Sequence, residues 1–308
     1  MKRKVTIVGG AGNVGATVAR SIAGTGLADV VIIDIAESKA AGIALDIYET
    51  CPIIGSDSRV IGGSDWSAAA GSDIVVITSG KPRKPGMSRD DLVRDNFEIM
   101  KSIAPKVVEF CPNAIIIPVA NPLDAMAQAL YKLTKFPRER ILGMAGVLDS
   151  ARMSTFVAME LGVSVQNINS FVLGGHGDTM VPLPRLSTVS GIPLTELLPA
   201  DKIQAISERT ANGGAEITKL VGTSAWYAPG AAAAEMVEAI LKDTKAIMPC
   251  SVYLTGEYGV KDQFLGVPVK LGKGGMEQVI QISLEPDENV ALQKSAAAVK
   301  ELTTVIGV

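Results

Sequence analysis

The only histidine of the chain, His176, stands in the run Leu173-Gly174-Gly175-His176-Gly177-Asp178, at the end of a predicted strand. The flanking glycines predict a tight turn in which backbone and ring come close to a ligand. Imidazole changes its protonation near neutral pH, as an acid–base group in reversible alcohol oxidation must. A solitary histidine is more often structural, so this motif alone leaves both interpretations open.

A second set of candidate side chains is cationic. Residues 80–89 carry four cations and follow a predicted strand, at what would be the carboxyl edge of a sheet, where ligands of open α/β folds bind. Arg83 and Arg89 can each bind a carboxylate through paired hydrogen bonds, whereas Lys81 and Lys84 fit an ordinary solvated loop. The proline and glycine residues of this segment predict a lid over a site.

Asp149 and Arg152 lie three residues apart at a predicted helix start, so they share one face of that helix. The plain interpretation is an ion pair within the helix, worth only about a few tenths of a kcal/mol. The alternative is a third cation for a carboxylate ligand. The spacing leaves both open.

A glycine-rich turn lies near the start of the chain, between a predicted strand and a predicted helix. Gly10 permits the turn, Gly12 lets backbone N–H groups approach a pyrophosphate, and Gly15 lets the helix pack close to the strand. Asp34 ends the next predicted strand, nineteen residues beyond Gly15, where a carboxylate accepts hydrogen bonds from ribose hydroxyls. Because Asp34 would repel a 2′-phosphate, this arrangement favours NAD over NADP.

The elements that must position these groups alternate in the first half of the chain. Predicted strands buried on both faces cover residues 5–8, 30–33, 74–78 and 115–119, with helices at 14–23 and 38–49. In the less regular second half, predicted helices cover 151–161, 203–211, 231–242 and 290–306, and short strands cover 170–173, 251–256 and 267–271. We therefore predict a doubly wound parallel α/β sheet over residues 1–144 and a mixed α+β domain over 145–308.

Composition excludes several classes of protein. With 308 residues, 47% apolar and 20% charged, and a net charge of -3, the chain predicts a soluble globular protein with no nucleic-acid or membrane partner. No run reaches the roughly 18 apolar residues of a membrane span, and the first apolar run is too short for a signal peptide. The scattered Cys51, Cys111 and Cys250 predict neither a disulfide framework nor a metal site, so we expect a cytoplasmic location.

Taken together, these motifs resemble those of the NAD-dependent lactate and malate dehydrogenase family, most closely its lactate-dehydrogenase-like malate dehydrogenases of bacteria. The resemblance runs nearly end to end and implies a Rossmann domain followed by a substrate domain. Besides the glycine turn it rests on four motifs, which occur in the family's order: Pro82-Arg83-Lys84-Pro85-Gly86-Met87-Ser88-Arg89, Asn121-Pro122-Leu123-Asp124, Leu148-Asp149-Ser150-Ala151-Arg152 and Gly174-Gly175-His176-Gly177-Asp178.

The resemblance implies a role for each matching residue, and no metal. His176 resembles the proton acceptor for the substrate hydroxyl, and Asp149 resembles the carboxylate that fixes its ring. Arg152 matches the residue that clamps the C1 carboxylate, while Arg89 would polarise the C2 oxygen. Asn121 matches an asparagine that contacts both substrate and cofactor.

Arg83 occupies the position that separates the two activities of the family. Lactate dehydrogenases have glutamine there, whereas arginine pairs with the far carboxylate of malate or oxaloacetate. A monocarboxylate would leave that guanidinium unpaired, and two charged hydrogen bonds of about 1.5–3 kcal/mol each imply roughly 10²–10⁴-fold discrimination. Ala225 points the same way, because lactate enzymes place threonine there.

The expected activity is therefore the reversible NAD-dependent oxidation of (S)-malate to oxaloacetate, a tricarboxylic acid cycle reaction. A lactate or other 2-hydroxy-acid dehydrogenase and a non-catalytic nucleotide-binding protein are the alternatives. The predicted cofactor contacts are Gly10, Gly12, Asn13, Val14, Gly15, Asp34, Asn96, Val119 and Asn121.

Assembly is a further expectation. Apolar faces on the predicted helices at 38–48 and 203–219 exceed what one domain buries, and the family resemblance implies a homodimer or homotetramer.

Two positions depart from the family pattern. The additional Gly9 precedes the turn and predicts a looser strand end with an intact pyrophosphate site. Relatives usually read Gly-Ser-Ala where this chain has Gly222-Thr223-Ser224-Ala225, which puts the pocket contacts of Thr223 and Ser224 in doubt.

Overall fold

The structure is a computed structural model that describes residues 2–82 and 88–308. The first half forms alternating strands and helices. The strands are β1 (Arg3–Val8), β2 (Ala28–Ile33), β3 (Val60–Gly63), β4 (Ile74–Ile77) and β5 (Ile115–Pro118). The helices are α1 (Asn13–Thr25), α2 (Glu37–Ile54), α3 (Arg89–Phe110) and α4 (Leu123–Thr134). The strands form one parallel sheet in the order β3-β2-β1-β4-β5, which confirms the predicted doubly wound fold.

Alternation along the strands explains why helices cover both faces of this sheet. In β2, Val30 and Ile32 belong to the apolar cluster that includes Val18 of α1. The intervening Val31 belongs to the opposite cluster, together with Met100 of α3. Successive side chains of a strand point to opposite faces, so a β-branched run without polar positions needs an apolar layer on each side.

Strand β3 is an element that the sequence analysis missed. Its run Val60-Ile61-Gly62-Gly63 ends in two glycines, which are typical of a loop. Gly62 is required by packing, because a Cβ atom there would lie 2.2 Å from the carbonyl oxygen of Ala40 in α2. A close helix–strand approach therefore removes the side chains that would have identified the strand.

The second half is a mixed α+β region. Its helices are α5 (Gly146–Leu161), α6 (Leu194–Leu197), α7 (Ala200–Val221), α8 (Tyr227–Leu241) and α9 (Pro286–Val305). Its strands are β6 (Ile168–Asn169), β7 (Val172–Leu173), β8 (Val181–Pro182), β9 (Thr188–Val189), β10 (Ile192–Pro193), β11 (Ala246–Thr255), β12 (Lys261–Gly272) and β13 (Gly275–Val279). They pair antiparallel in three small sheets, ordered β10-β9-β6, β11-β12-β13 and β7-β8.

Several predicted boundaries in this half were wrong. Helix α5 begins at Gly146, not at residue 151, and so includes Asp149 in its first turn. Helix α7 continues well beyond residue 211 through Gly213 and Gly214, although glycine disfavours a helix by about 1 kcal/mol. Strand β7 begins at Val172 rather than at residue 170, and β11 and β12 are both longer than predicted.

The two halves pack directly on each other. One apolar cluster contains Ile7 of β1, Met236 of α8 and Val252 of β11. Helix α8 also crosses α1 closely enough that a Cβ atom on Gly230 would lie 2.6 Å from Cβ of Thr17. The helix that follows the glycine turn is therefore held by the second half of the chain.

None of the helices in the two described ranges is both long and apolar enough to cross a membrane.

The contact between α1 and α8 gives a stability prediction. Gly230→Ala places a methyl group against Thr17 and is expected to destabilise the fold by about 1–3 kcal/mol, the usual cost of overpacking. The matched control is Gly42→Ala in α2, where an added Cβ meets no atom within 4 Å. The control is expected to stabilise the fold by about 0.5–1 kcal/mol. Urea unfolding midpoints measure both changes, and a Gly230→Ala variant as stable as the control would contradict the close contact.

Candidate active site

A cavity of about 530 Å³ opens at the carboxyl ends of β4 and β5, between the two halves of the chain. Residues from both halves line it. The first half contributes Val14, Thr78, Arg89, Val119 and Asn121, among others, and the second half contributes Arg152, His176, Thr218, Ser224 and Ala225. Most of the predicted substrate residues therefore meet in one place.

His176 lies at this cavity directly after β7, and its ring is held by Asp149 of α5. The distance from Nδ1 of His176 to Oδ2 of Asp149 is 2.8 Å, and Asp149 is buried. Burial by itself would lower the pKa of His176, but the charge and hydrogen bond of Asp149 outweigh it and hold that pKa above its ordinary value of 6.5. Because Nδ1 is engaged, Nε2 is the ring nitrogen that remains for proton transfer.

Arg152 pairs with the other oxygen of the same carboxylate. Its Nη1 lies 3.2 Å from Oδ1 of Asp149, so the intrahelical ion pair is present. The guanidinium also lines the cavity, and its buried Nε has no hydrogen-bond partner among the described residues. A buried donor left in this state indicates a place for an acceptor, such as a substrate carboxylate.

The glycine pair in α7 makes room for that guanidinium. A Cβ atom on Gly213 would lie 3.2 Å from Cδ of Arg152, and one on Gly214 would lie 3.6 Å from its Nη2. Side chains at these positions would crowd Arg152, so helix propensity is lost there in favour of space at the site.

Arg89 is the first residue of α3 and so lies just after the segment that was predicted to form a lid. The side chain of Ser88 accepts from the backbone amide of Asp91, and Asp91 accepts from that of Ser88, which fixes this helix start. The guanidinium of Arg89 lines the cavity and bonds to the carboxylate of Asp178, in the same loop as His176. Arg83 lies outside the described residues.

The glycine turn departs from the roles predicted for two of its residues. Gly9, not Gly10, has the left-handed backbone, with φ of 80°. Its amide donates to the carbonyl of Ile33 at 2.8 Å, so the expected loosening of the strand end was wrong. Gly10 is needed for a different reason, because a Cβ atom there would lie 2.6 Å from Cγ2 of Ile32 in β2.

The predicted roles of Gly12 and Gly15 fit the geometry. A Cβ atom on Gly15 would lie 2.6 Å from Cα of Gly10, so α1 packs closely on the strand end. Gly12 precedes α1 and caps it without a side-chain hydrogen bond, which leaves the first amides of the helix, at Asn13 and Val14, available to an anion.

Asp34, at the end of β2, braces the same turn. Its Oδ2 accepts from the amide of Ala11 at 3.0 Å, and its Oδ1 accepts from that of Ala36 at 3.0 Å. A half-buried carboxylate in this position also has lone pairs for the hydroxyl groups of a ribose. The turn and Asp34 together fit a dinucleotide.

Three other predicted cofactor contacts follow β5 or face it. Val119 and Asn121 line the cavity, as expected for residues at the carboxyl end of that strand. Asn96 is fully buried, and its side-chain amide donates to the carbonyl of Asn121 at 2.6 Å while it accepts from the amide of Lys81 at 2.7 Å. The side chain of Asn96 thus holds the cavity wall.

The departure at residues 222–225 has a local explanation. Gly222 ends α7 with φ of 80°, so the displaced glycine is the left-handed cap of that helix. Thr223 is exposed, whereas Ser224 and Ala225 line the cavity.

The sequence analysis missed two buried side chains behind the histidine loop. Ser295 of α9 accepts from the amide of Gly175 at 2.8 Å, and Asp124 of α4 accepts from that of His176 at 2.9 Å. Asp124 belongs to a motif that the family shares, but no local pattern connects it to a loop so distant in sequence.

Acidic, thiol and imidazole groups do not form a metal centre in the part of the chain that the structure covers, since no three of them are grouped to hold an ion.

The chain was compared with families and proteins of known structure or sequence. The family model for the lactate/malate dehydrogenase NAD-binding domain matches residues 3–143, and that for the family's α/β C-terminal domain matches residues 146–306. Malate dehydrogenase of Thermomicrobium roseum is 54% identical over 302 residues, which cover 98% of this chain and 97% of that relative.

Solved structures agree with these matches. Malate dehydrogenase of Salinibacter ruber superposes with a TM-score of 0.94 at 50% identity, covering 98% of this chain and 97% of that one. A lactate dehydrogenase of Cryptosporidium parvum, in complex with lactic acid and NAD, superposes with a TM-score of 0.96 at 38% identity, covering 100% and 99% of the two chains.

The parallel sheet, the glycine turn and the paired His176 and Asp149 are thus found in a chain that both family models match from end to end. The chain belongs to the lactate/malate dehydrogenase family of NAD-type oxidoreductases.

Proposed function

We propose that this chain catalyses the reversible oxidation of (S)-malate to oxaloacetate with NAD. The observation that carries the proposal is one buried carboxylate, Asp149, that binds the ring of His176 and the guanidinium of Arg152 at the same cavity. A base and a carboxylate-binding cation are thereby held side by side, as oxidation of a hydroxyl beside a carboxylate requires. The relatives named malate dehydrogenase support this choice.

His176 and Asp149 perform the proton transfer in this proposal. Nε2 of His176 accepts the proton of the substrate hydroxyl, and Asp149 stabilises the imidazolium that results. Bound NAD supplies the hydride acceptor. Arg152 pairs its unpartnered edge with the C1 carboxylate and so orients the hydroxyl toward His176.

Arg89 polarises the C2 oxygen in the proposed reaction. Its guanidinium is at the cavity, and its present partner, Asp178, has a side chain that is 77% exposed. Exposed ion pairs contribute little, so a substrate can displace Asp178 from Arg89 at small cost. Asn121 contacts substrate and cofactor beside it.

Asp34 makes NAD rather than NADP the proposed cofactor. The end of β2 places its carboxylate next to the turn that would bind the pyrophosphate. A 2′-phosphate at that ribose would meet this negative charge, whereas free hydroxyls donate to it. We therefore expect NADH to be oxidised much faster than NADPH.

Arg83 selects malate over lactate in this proposal. The lactate dehydrogenase that superposes with a TM-score of 0.96 indicates that the fold alone does not separate the two substrates. A second guanidinium, facing the end of the substrate remote from Arg152, would neutralise the second carboxylate of a four-carbon diacid.

We also infer a cytoplasmic homo-oligomer that acts in the tricarboxylic acid cycle. The three cysteines are free and buried, which suits a reducing compartment. Helix α2 leaves Leu45, Tyr48 and Ile53 exposed, and a second copy of the chain would cover such an apolar face.

Removal of the base tests the mechanism. His176→Asn is expected to lower turnover by about 10²–10⁴-fold in both directions, because general acid–base catalysis contributes that much. NADH binding, followed by its fluorescence, should stay near normal. If turnover is unchanged in a folded variant, His176 is not the base.

The raised pKa of His176 predicts opposite pH dependences for the two directions. Malate oxidation needs the neutral ring, so kcat/KM for malate should fall as the pH drops through a value above 6.5. Oxaloacetate reduction needs the imidazolium, so its kcat/KM should fall as the pH rises through the same value. Asp149→Asn should move both limbs to lower pH. An unmoved limb would contradict the source of the shift.

Substitution of Arg83 tests substrate choice. Arg83→Gln should reduce the preference for oxaloacetate over pyruvate by roughly 10²–10⁴-fold, the value of two charged hydrogen bonds. Assays of NADH oxidation with the two acids side by side measure it. The matched control is Lys84→Gln, which removes the neighbouring charge and should retain the preference. A variant at Arg83 that is still strongly selective for oxaloacetate would refute its role.

A further inference from the structure

A buried carboxylate next to the site has no part in the mechanism above. Asp124, in the first turn of α4, is only 5% exposed. Its Oδ1 accepts from the hydroxyl of Ser251 in β11 at 2.6 Å, and its Oδ2 accepts from the backbone amide of His176 at 2.9 Å. Asp124 thus links the first half of the chain to β11 and to the histidine loop of the second half.

The histidine loop is held by its backbone at three successive residues. The amide of Gly174 donates to the carbonyl of Gly266 in β12 at 2.8 Å, and that of Gly175 donates to Ser295 at 2.8 Å. The amide of His176 donates to Asp124. Of these three acceptors only Asp124 carries an ionisable group. His176 is therefore held by a carboxylate at each end, Asp149 on its ring and Asp124 on its amide.

The two carboxylates differ in how their charges are balanced. Asp149 pairs with Arg152, whereas Asp124 forms no ion pair with any lysine or arginine in the described ranges. The charged groups that shift the pKa of His176 are Asp149 and Arg152, both on α5, and Asp124 on α4, while β11 and α9 contribute only serine hydroxyls to this region. A protonated His176 is thus the cation that would balance Asp124.

The surroundings of Asp124 act on its protonation in opposite directions. Burial raises the pKa of the Asp124 carboxyl above its ordinary value, while the hydrogen bonds from Ser251 and from the amide of His176 favour the carboxylate. Both donors point at its oxygens, so a charged Asp124 has hydrogen-bond partners on each side.

We propose that Asp124 is a positioning residue for the acid–base step: it holds the backbone of His176, and its negative charge favours the protonated imidazole. Its catalytic meaning rests on the proposed malate oxidation, in which His176 gains a proton. Its effect on the ring does not depend on turnover, so the two can be tested separately.

The solitary histidine makes the test direct, because its imidazole signals in an NMR titration need no assignment. Asp124→Asn keeps the shape of the side chain and one oxygen for the amide of His176, while it removes the charge. We expect His176 of this variant to titrate about one pH unit lower than in the wild type, as for loss of a nearby opposite charge. The limb of kcat/KM for malate should move by the same amount.

Ser295→Ala is the matched control, since it removes a neutral hydrogen bond to the neighbouring amide of the same loop. We expect it to lower kcat without moving the titration of His176. If folded Asp124→Asn also lowers kcat with an unmoved titration, Asp124 is merely structural and the proposal is overturned. A moved titration supports the proposal even if malate is not oxidised, an outcome that would instead overturn the proposed function.

A measurement on the unsubstituted chain covers the case in which Asp124→Asn does not fold. Infrared spectra with ordinary and carbon-13-labelled aspartate reveal whether any aspartic acid keeps its proton at pH 7. A label-sensitive band of a protonated carboxyl group would contradict a charged Asp124. Its absence supports the proposal, since exposed aspartates are ionised at that pH.

Discussion

The site depends on a single buried carboxylate. Asp149 gives one oxygen to the ring of His176 and the other to the guanidinium of Arg152, and water hardly reaches it. A buried charge of this kind is tolerated only when it is paired, and loss of one partner from such a group costs about 3–5 kcal/mol. The arrangement therefore sets both the orientation of the base and the position of the cation that would receive a carboxylate.

Positions far from the cavity can be understood as consequences of that requirement. Helix α5 must begin early enough to carry Asp149 and Arg152 on one face, and α7 must lack side chains where it passes the guanidinium. The two glycines in α7 disfavour a helix by about 1 kcal/mol each, so packing against Arg152 outweighs local propensity there. Stability of the helix is given up for space at the site.

The cofactor end of the cavity is built on a different principle, the close approach of backbones. Gly9, Gly10 and Gly15 are needed because strand ends and the start of α1 lie within van der Waals distance of each other. Helix α8 presses on α1 from the other side through Gly230. Since α1 presents its first amides toward the cavity and α8 follows the cavity residues Ser224 and Ala225, cofactor and substrate would contact elements that are packed on each other.

The sequence by itself determined the features that depend on residue type and local order. Alternating β-branched runs and helical spacing predicted the doubly wound sheet, and the glycine pattern with Asp34 predicted the nucleotide turn. His176, Asp149, Arg152, Arg89 and Asn121 were named from motifs, and the structure brings them to one cavity or directly behind it. These predictions succeed because periodicity and side-chain chemistry are carried within a few neighbouring residues.

Only the tertiary structure decided what depends on contacts between distant segments. Gly62 hides β3 because the neighbour that forbids a side chain there, Ala40, lies on a different element. Gly213 and Gly214 continue a helix that their propensity would end, since Arg152 of another helix fills the space. Asp124 and Ser295 hold the amides of residues 175 and 176 across long stretches of sequence. Such contacts leave no local pattern, because each is defined by the three-dimensional position of a partner.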